Sequence, residues 1–229
     1  MIFKKYNRIQ NASRGIRGKI NSFRDHKLKR HALVGTPETW EMVRDFQIKF
    51  LKEMGLVPGD HLLDIGCGTL RGGIPIIRYL EKGHYYGIEI LPDVLEEGKK
   101  ELLESKLTDK EPVLLSGSIS SVNIEIEFNY IWAFSLLIHL TDEILDGCFN
   151  FVSNRLSKQG KFYATVNIGD KKDDNWRGFP VMWRSLDFYK QVALSHGLTV
   201  QDIGPRQEFG YAPTLPIEDD LRILKICKK

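Results

Sequence analysis

Residues 61–73 read HLLDIGCGTLRGG: a short apolar run carrying an acid, two glycines one residue apart, then the start of a helical pattern. This stretch leaves the backbone little choice. A brief apolar run without polar alternation belongs in a sheet covered on both faces. Gly66 and Gly68 then let the chain turn tightly and approach a ligand with no Cβ in the way. A strand, a glycine turn and a helix in that order open a βαβ unit.

The rest of the chain repeats the alternation. HYYGIEI, PVLLSG, FNYIWAFSLL, GKFYATVNI, TVQDIG and LRILKICK read as further strands, which with HLLDIG makes seven. Helical patterns separate most of them. One begins near Thr36, with Thr36 as cap, Pro37 at the first helical position and Glu38 near the positive end of the dipole. Its stripe runs through Trp40, Val43, Phe50, Leu51 and Met54 and stops at Gly55. Others cover about 71–81, PDVLEEGKKELLES, TDEILDGCFNFVSNRL and SLDFYKQVALSHGL. The expectation is an α/β fold: a Rossmann-like, doubly wound, mainly parallel seven-stranded sheet with helices on both faces.

In such sheets ligands sit beyond the carboxyl ends of the strands, near the switch in strand order. A dinucleotide fingerprint would place its third glycine at position 71, which is Arg71, and a pyrophosphate has no use for the carboxylate of Asp64. No Gly-Lys-Ser/Thr follows, so a P-loop is excluded. Glu89 stands 21 residues past Gly68, at a strand end where a carboxylate accepts both hydroxyls of a ribose, and Ile90 can lie against a purine. The implied ligand has a ribose, an adenine-like base and a cationic or zwitterionic end, but no phosphate.

LLDIGCGTLRGG, the acid in YYGIEI and the strand IWAFSLLIHL together resemble class I S-adenosylmethionine-dependent methyltransferases, over residues 56–168. GCGTLRGG followed by IRYLEKGHYYGIE is similar to a bacterial subgroup of small methyltransferase domains linked to glycan or natural-product pathways. The resemblance implies S-adenosylmethionine as cofactor and S-adenosylhomocysteine as product, with no metal. It implies that Gly66, Cys67 and Gly68 line the methionine and ribose portion, the Cys67 thiol itself reading as a small buried filler. Asp64 would organise the ammonium and Glu89 would bind the ribose, with Ile90 beside the base. Arg71 has two readings, a contact to the methionine carboxylate or a surface residue at a helix start. Where the family often has an acid after the third strand, this chain offers Ser118, with Ile119 beside it. Phe134 and Ser135 would lie near the transferred methyl.

For a hydroxyl acceptor, the residue expected to take the proton is His139, which follows the fourth strand and titrates near neutrality. The competing reading makes it a packing residue of that loop. No Asn/Asp-Pro-Pro-Tyr/Phe tetrapeptide follows the fourth strand, which disfavours amide or nucleobase-amine chemistry of that type. No CxxxCxxC is present, and Asp142, Glu143 and Asp146 read as dipole-favoured acids of a helix start, not as metal ligands. Residues 169–183 read as a long polar loop whose Trp176, Arg177, Phe179 and Trp183 can line an acceptor pocket, and a second loop, 204–219, borders the same mouth. The acceptor is expected to be a small molecule or glycan, methylated at oxygen. An RNA methyltransferase and a non-catalytic cofactor-binding scaffold are the alternatives.

Charge divides the chain. Residues 1–31 carry ten Lys or Arg against Asp25 alone, whereas the whole chain is only +3, so the remainder is net acidic. This suggests a basic arm over 1–34 and a methyltransferase domain over 35–229. The interleaved apolar residues of the arm suit peripheral contact with an anionic membrane. Nucleic acid is disfavoured as a partner, because the positive charge does not extend around the cleft. Three widely spaced cysteines, Cys67, Cys148 and Cys227, suit neither a disulfide framework nor a CxxC metal site, and fit a reducing cytoplasm.

Overall fold

The computed structural model describes residues 26–172, 174–176, 178–212 and 221–229. Helical residues 26–32 (α1) lead through a turn of 3₁₀ helix, Pro37–Thr39, into α2, Trp40–Glu53. There follow β1 (Leu62–Ile65), α3 (Gly73–Tyr79), β2 (Tyr85–Glu89), α4 (Pro92–Glu104), β3 (Val113–Ser116) and β4 (Phe128–Ala133). The chain continues through α5 (Asp142–Arg155), β5 (Leu156–Asn167), β6 (Asp174–Trp176), β7 (Phe179–Val181), α6 (Leu186–Ser195), β8 (Leu198–Pro205) and β9 (Leu221–Lys228).

Seven strands form one sheet in the order β3-β2-β1-β4-β5-β9-β8. Strands β3 to β5 are parallel, and β9 runs antiparallel to both of its neighbours. Side-chain alternation explains why both faces are covered. Leu62, Tyr130 and Trp132 point into a core shared with Phe46 and Phe50 of α2, Ile76 and Ile77 of α3 and Leu95 of α4. Their neighbours Leu63, Ile131 and Ala133 point into the opposite core, with Leu145, Phe149 and Val152 of α5 and Tyr189 and Ala193 of α6. β1 pairs with β2 on one side and β4 on the other, so the strand order reverses there, and the carboxyl ends of these three strands frame a crevice.

Four local expectations are corrected. Thr36 makes no side-chain cap; the chain spends Pro37–Thr39 in a 3₁₀ turn and the α-helix begins only at Trp40. The helix after the glycine turn starts at Gly73, not near 71, because the turn is prolonged by Leu70 at φ +61. The fourth strand ends at Ala133, leaving Phe134 and Ser135 in the connection beyond it, with Ser135 at φ +53. Finally, 169–183 is not an unstructured loop. β6 and β7 pair as a two-stranded hairpin, Trp176 opposite Phe179, and the Gly178 N–H donates to the side-chain carbonyl of Asn175 at 2.8 Å.

Candidate active site

The turn after β1 is held from below and left open above. The Gly66 and Cys67 amides both donate to the Ile88 carbonyl, at 2.8 and 3.0 Å, which ties the turn to β2. Gly66 (φ +75) and Gly68 (φ +56) adopt the left-handed conformation that glycine tolerates best. A Cβ on Gly68 would come within 2.8 Å of Val34, and one on Gly98 of α4 within 3.1 Å of the Gly68 carbonyl. The turn is therefore pressed between α4 and residues 33–35. Cys67 fits because Gly87 has no side chain; a Cβ there would sit 2.9 Å from the sulfur. Burial holds the Cys67 thiol well above its ordinary pKa, which suits a small buried filler.

Two carboxylates face this turn. Glu89 is buried, and its two oxygens accept the Gly68 and Leu91 amides, each at 3.0 Å. A carboxylate has about four acceptor sites, so these backbone donors leave it capacity for a further donor such as a ribose hydroxyl. Burial raises the Glu89 pKa, and the backbone N–H donors oppose that rise. Asp64 accepts the Tyr85 hydroxyl at 2.7 Å, and burial pushes its pKa up to about 7 despite that hydrogen bond. A buried carboxylate of this kind is poised to gain from a cation arriving beside it.

Above these groups opens a cavity of about 560 Å³. Asp64, Gly66, Cys67, Gly68, Arg71, Glu89 and Ile90 line it at one end, and Phe134, Ser135 and His139 further along. Ile90 is 58% exposed. Ser118 and Ile119 do not line the cavity: the Ser118 hydroxyl bonds to Ser120 and Ser121, and Ile119 packs on the α5 side of the sheet. Of the two readings of Arg71, the surface one is corrected. Its guanidinium lines the cavity and donates through Nη1 to the Val34 carbonyl at 2.9 Å.

His139 closes a 3₁₀ turn, Leu137–His139, and its Nδ1 lies 2.7 Å from the carbonyl oxygen of Pro180 in the hairpin. A carbonyl only accepts, so Nδ1 carries the proton, and the neutral ring keeps its lone pair on Nε2. Burial lowers the His139 pKa, which favours that neutral form. Trp176 and Phe179 cover the ring at centroid distances of 5.7 and 6.0 Å, and both line the cavity. Arg177 lies outside the described residues, as do residues 1–25 of the basic arm.

Several lining residues escaped the sequence reading. Gln47 interrupts the apolar face of α2, where it accepts the Trp132 indole N–H at 2.9 Å; a polar residue in an apolar stripe was the available signal. Val34 comes from a segment with no motif at all, whereas Arg206 and Tyr211 belong to the 204–219 loop expected at the mouth, though neither was singled out there. Arg30 and His31, grouped with the arm by charge, pack on the domain. Arg30 is buried and pairs with Glu97, Glu101 and Glu104 of α4 at 2.6–3.1 Å, and His31 stacks on Trp40 at 3.9 Å.

A family model described as a methyltransferase domain matches residues 63–162, which run from the glycine turn into β5. Over these residues, fewer than half of the chain, the sequence is similar to a methyltransferase domain. The (+)-O-methylkolavelool synthase of Herpetosiphon aurantiacus is 25% identical to this chain over 140 residues, 59% of this chain and 46% of that one. The chain thus spans about half the length of that curated relative. Among solved structures, a magnesium protoporphyrin IX methyltransferase from Synechocystis with bound S-adenosylmethionine superposes with a TM-score of 0.63 at 14% identity, covering 84% of this chain and 81% of that one. A methyltransferase from Clostridium acetobutylicum gives 0.61 at 17% identity, covering 93% and 98%. A glycopeptide N-methyltransferase bound to sinefungin gives 0.62 at 16%, covering 80% and 92%. These structural likenesses are of the methyltransferase fold. Among the described residues no group of three or more His, Cys, Asp or Glu is placed to hold a metal ion, and no helix is long and apolar enough to cross a membrane.

Proposed function

We propose that this chain transfers a methyl group from S-adenosylmethionine to an oxygen of a small-molecule or glycan acceptor, with His139 receiving the acceptor proton. The residues present suit the cofactor. The left-handed glycines shape the turn beneath the cavity, Glu89 keeps acceptor capacity for a ribose, Asp64 favours an ammonium, and Ile90 offers an apolar surface to the base. When bound, S-adenosylmethionine supplies an electrophilic methyl on a sulfonium. The chain's part is alignment, exclusion of water and removal of a proton.

The observation that carries this reading is the Nδ1 contact of His139 to the Pro180 carbonyl inside the same cavity as Glu89. It orients the ring, fixes the tautomer and leaves Nε2 as a base. Trp176 and Phe179 give the acceptor end an aromatic wall suited to rings, including the apolar faces of sugars. The similar proteins include an O-methylkolavelool synthase, a magnesium protoporphyrin IX methyltransferase and a glycopeptide N-methyltransferase, which supports a small-molecule or glycan acceptor in general.

The test is a single-turnover rate at saturating cofactor, measured across pH on the wild type and His139→Ala with an acceptor found by screening hydroxylated natural products and glycans. The expected loss is roughly 10²–10⁴ in rate with cofactor affinity nearly unchanged. In the wild type the rate should fall on acidification through a pKa below the usual histidine value, since the protonated ring cannot accept a proton. A rate loss that merely follows lost cofactor affinity would make His139 a structural residue.

A further inference from the structure

One edge of β7 is held by two side chains from different parts of the chain. The Pro180 carbonyl meets His139 Nδ1 at 2.7 Å. Two residues on, the Met182 N–H donates to the Ile138 carbonyl at 2.8 Å, and the Met182 carbonyl accepts Asn167 Nδ2 at 3.3 Å. Alternate residues of an extended chain present their backbone groups to the same edge, about 7 Å apart. His139, from the turn after β4, and Asn167, the last residue of β5, therefore stand as neighbours along that edge. Both line the cavity.

Each anchor has polar capacity left over. A carbonyl only accepts, so the Asn167 carboxamide must turn its NH₂ toward Met182, which fixes where Oδ1 points. Among the described residues the carboxamide makes no other hydrogen bond. Asn167 is 6% exposed, so what it has left is offered to the cavity and not to open solvent. A polar group so withdrawn gains from a ligand that brings it a partner. The lone pair on His139 Nε2 is the second acceptor of the same edge. Two acceptors side by side call for two donors on the incoming molecule. The Trp176 and Phe179 rings beside them call for those donors to sit on a ring.

We propose that Asn167 binds the methyl acceptor through a second hydroxyl, next to the one that faces His139, and so selects acceptors bearing a vicinal diol on a ring. Asn167 Oδ1 accepts from that second hydroxyl while Nδ2 keeps the hairpin in place. This deepens the proposed oxygen transfer and rests on it for which hydroxyl His139 faces. Binding of the diol itself does not require turnover.

The test is ligand-observed NMR titration of the S-adenosylhomocysteine-saturated protein with two pairs of probes that differ by one hydroxyl. Catechol and phenol carry it on an aromatic ring, cis-cyclohexane-1,2-diol and cyclohexanol on an alicyclic one. In at least one pair the wild type should bind the diol roughly 3- to 10-fold more tightly than the single alcohol, the worth of one neutral hydrogen bond. The pair that shows the preference tells an aromatic from a sugar-like acceptor. In Asn167→Ala and Asn167→Val the preference should fall below about two-fold, with binding of the single alcohol nearly unchanged. Equal losses for diol and alcohol overturn the proposal, because Asn167 would then only fasten the hairpin. A wild type that binds both members of each pair equally, or binds none of the probes, overturns it too, as does a preference that survives in the variants. The base role of His139 is judged apart, by the His139→Ala single-turnover rate, and can fail while the Asn167-dependent preference stands. If S-adenosylhomocysteine does not bind, the methyltransferase reading fails alone, and the same titrations on the unliganded protein decide the diol site.

Discussion

Asp64 is the residue whose chemistry is most sensitive to occupancy of the site. Buried and raised to about 7, it is partly protonated at neutral pH. An ammonium placed beside it would restore the charged form, so cofactor binding at pH 6–7 should release a proton and tighten as pH rises through about 7. Calorimetry in buffers of different ionisation enthalpy reads that proton directly. The same group makes the unliganded protein less stable as pH rises from the ordinary carboxylate range to about 7, because over that span the folded state holds more protons than the unfolded one. Asp64→Asn should therefore raise the melting temperature of the unliganded protein at pH 8 while weakening S-adenosylhomocysteine. A lowered melting temperature at that pH would contradict the account. At this scale the site was legible where function is local in sequence. Gly66, Gly68 and Glu89 are set by backbone conformation and by a fixed strand-to-strand distance. Val34 was not legible, and of the 204–219 loop only its place near the mouth was, because only the folded sheet brings Val34, Arg206 and Tyr211 to the turn.

At the scale of elements, the alternating apolar runs gave the strand and helix order, since side-chain periodicity is fixed by the backbone. The hairpin β6–β7 was missed because three-residue strands bury little and carry no period. The role of α1 was hidden by its own charge. Arg30 reads as one more cation of a basic arm, yet it is 5% exposed and clasps three acids of α4. Removing it leaves Glu101, also buried, without its partner. Breaking a buried pair from one side costs about 3–5 kcal/mol. The segment it anchors, residues 33–36, borders the cavity and holds Arg71 through the Val34 carbonyl. Arg30→Ala should thus lower the melting temperature by several degrees and weaken S-adenosylhomocysteine binding together. Unchanged values for both would show that α1 is not part of the site's wall.

Seen whole, the molecule joins a net acidic domain to a strongly basic N-terminal segment. With Arg30 packed on α4, the arm to be tested is residues 2–25. Deleting these should leave cofactor affinity intact and reduce sedimentation with phosphatidylserine vesicles at low salt; equal sedimentation would remove the membrane reading. The strand order β3-β2-β1-β4-β5-β9-β8 places Asp64, Glu89 and Phe134 at one end of the sheet, and it is this shared edge that turns scattered residues into one cavity. The central claim is that this edge receives S-adenosylmethionine and not a dinucleotide. Calorimetric titration of the wild type and Glu89→Ala with S-adenosylhomocysteine and with NAD tests it most directly. The account predicts clear binding of S-adenosylhomocysteine, far weaker binding of NAD, and a loss of about 1.5–3 kcal/mol in a folded Glu89→Ala protein. NAD binding as tight as S-adenosylhomocysteine, or an unchanged affinity in the variant, would contradict it.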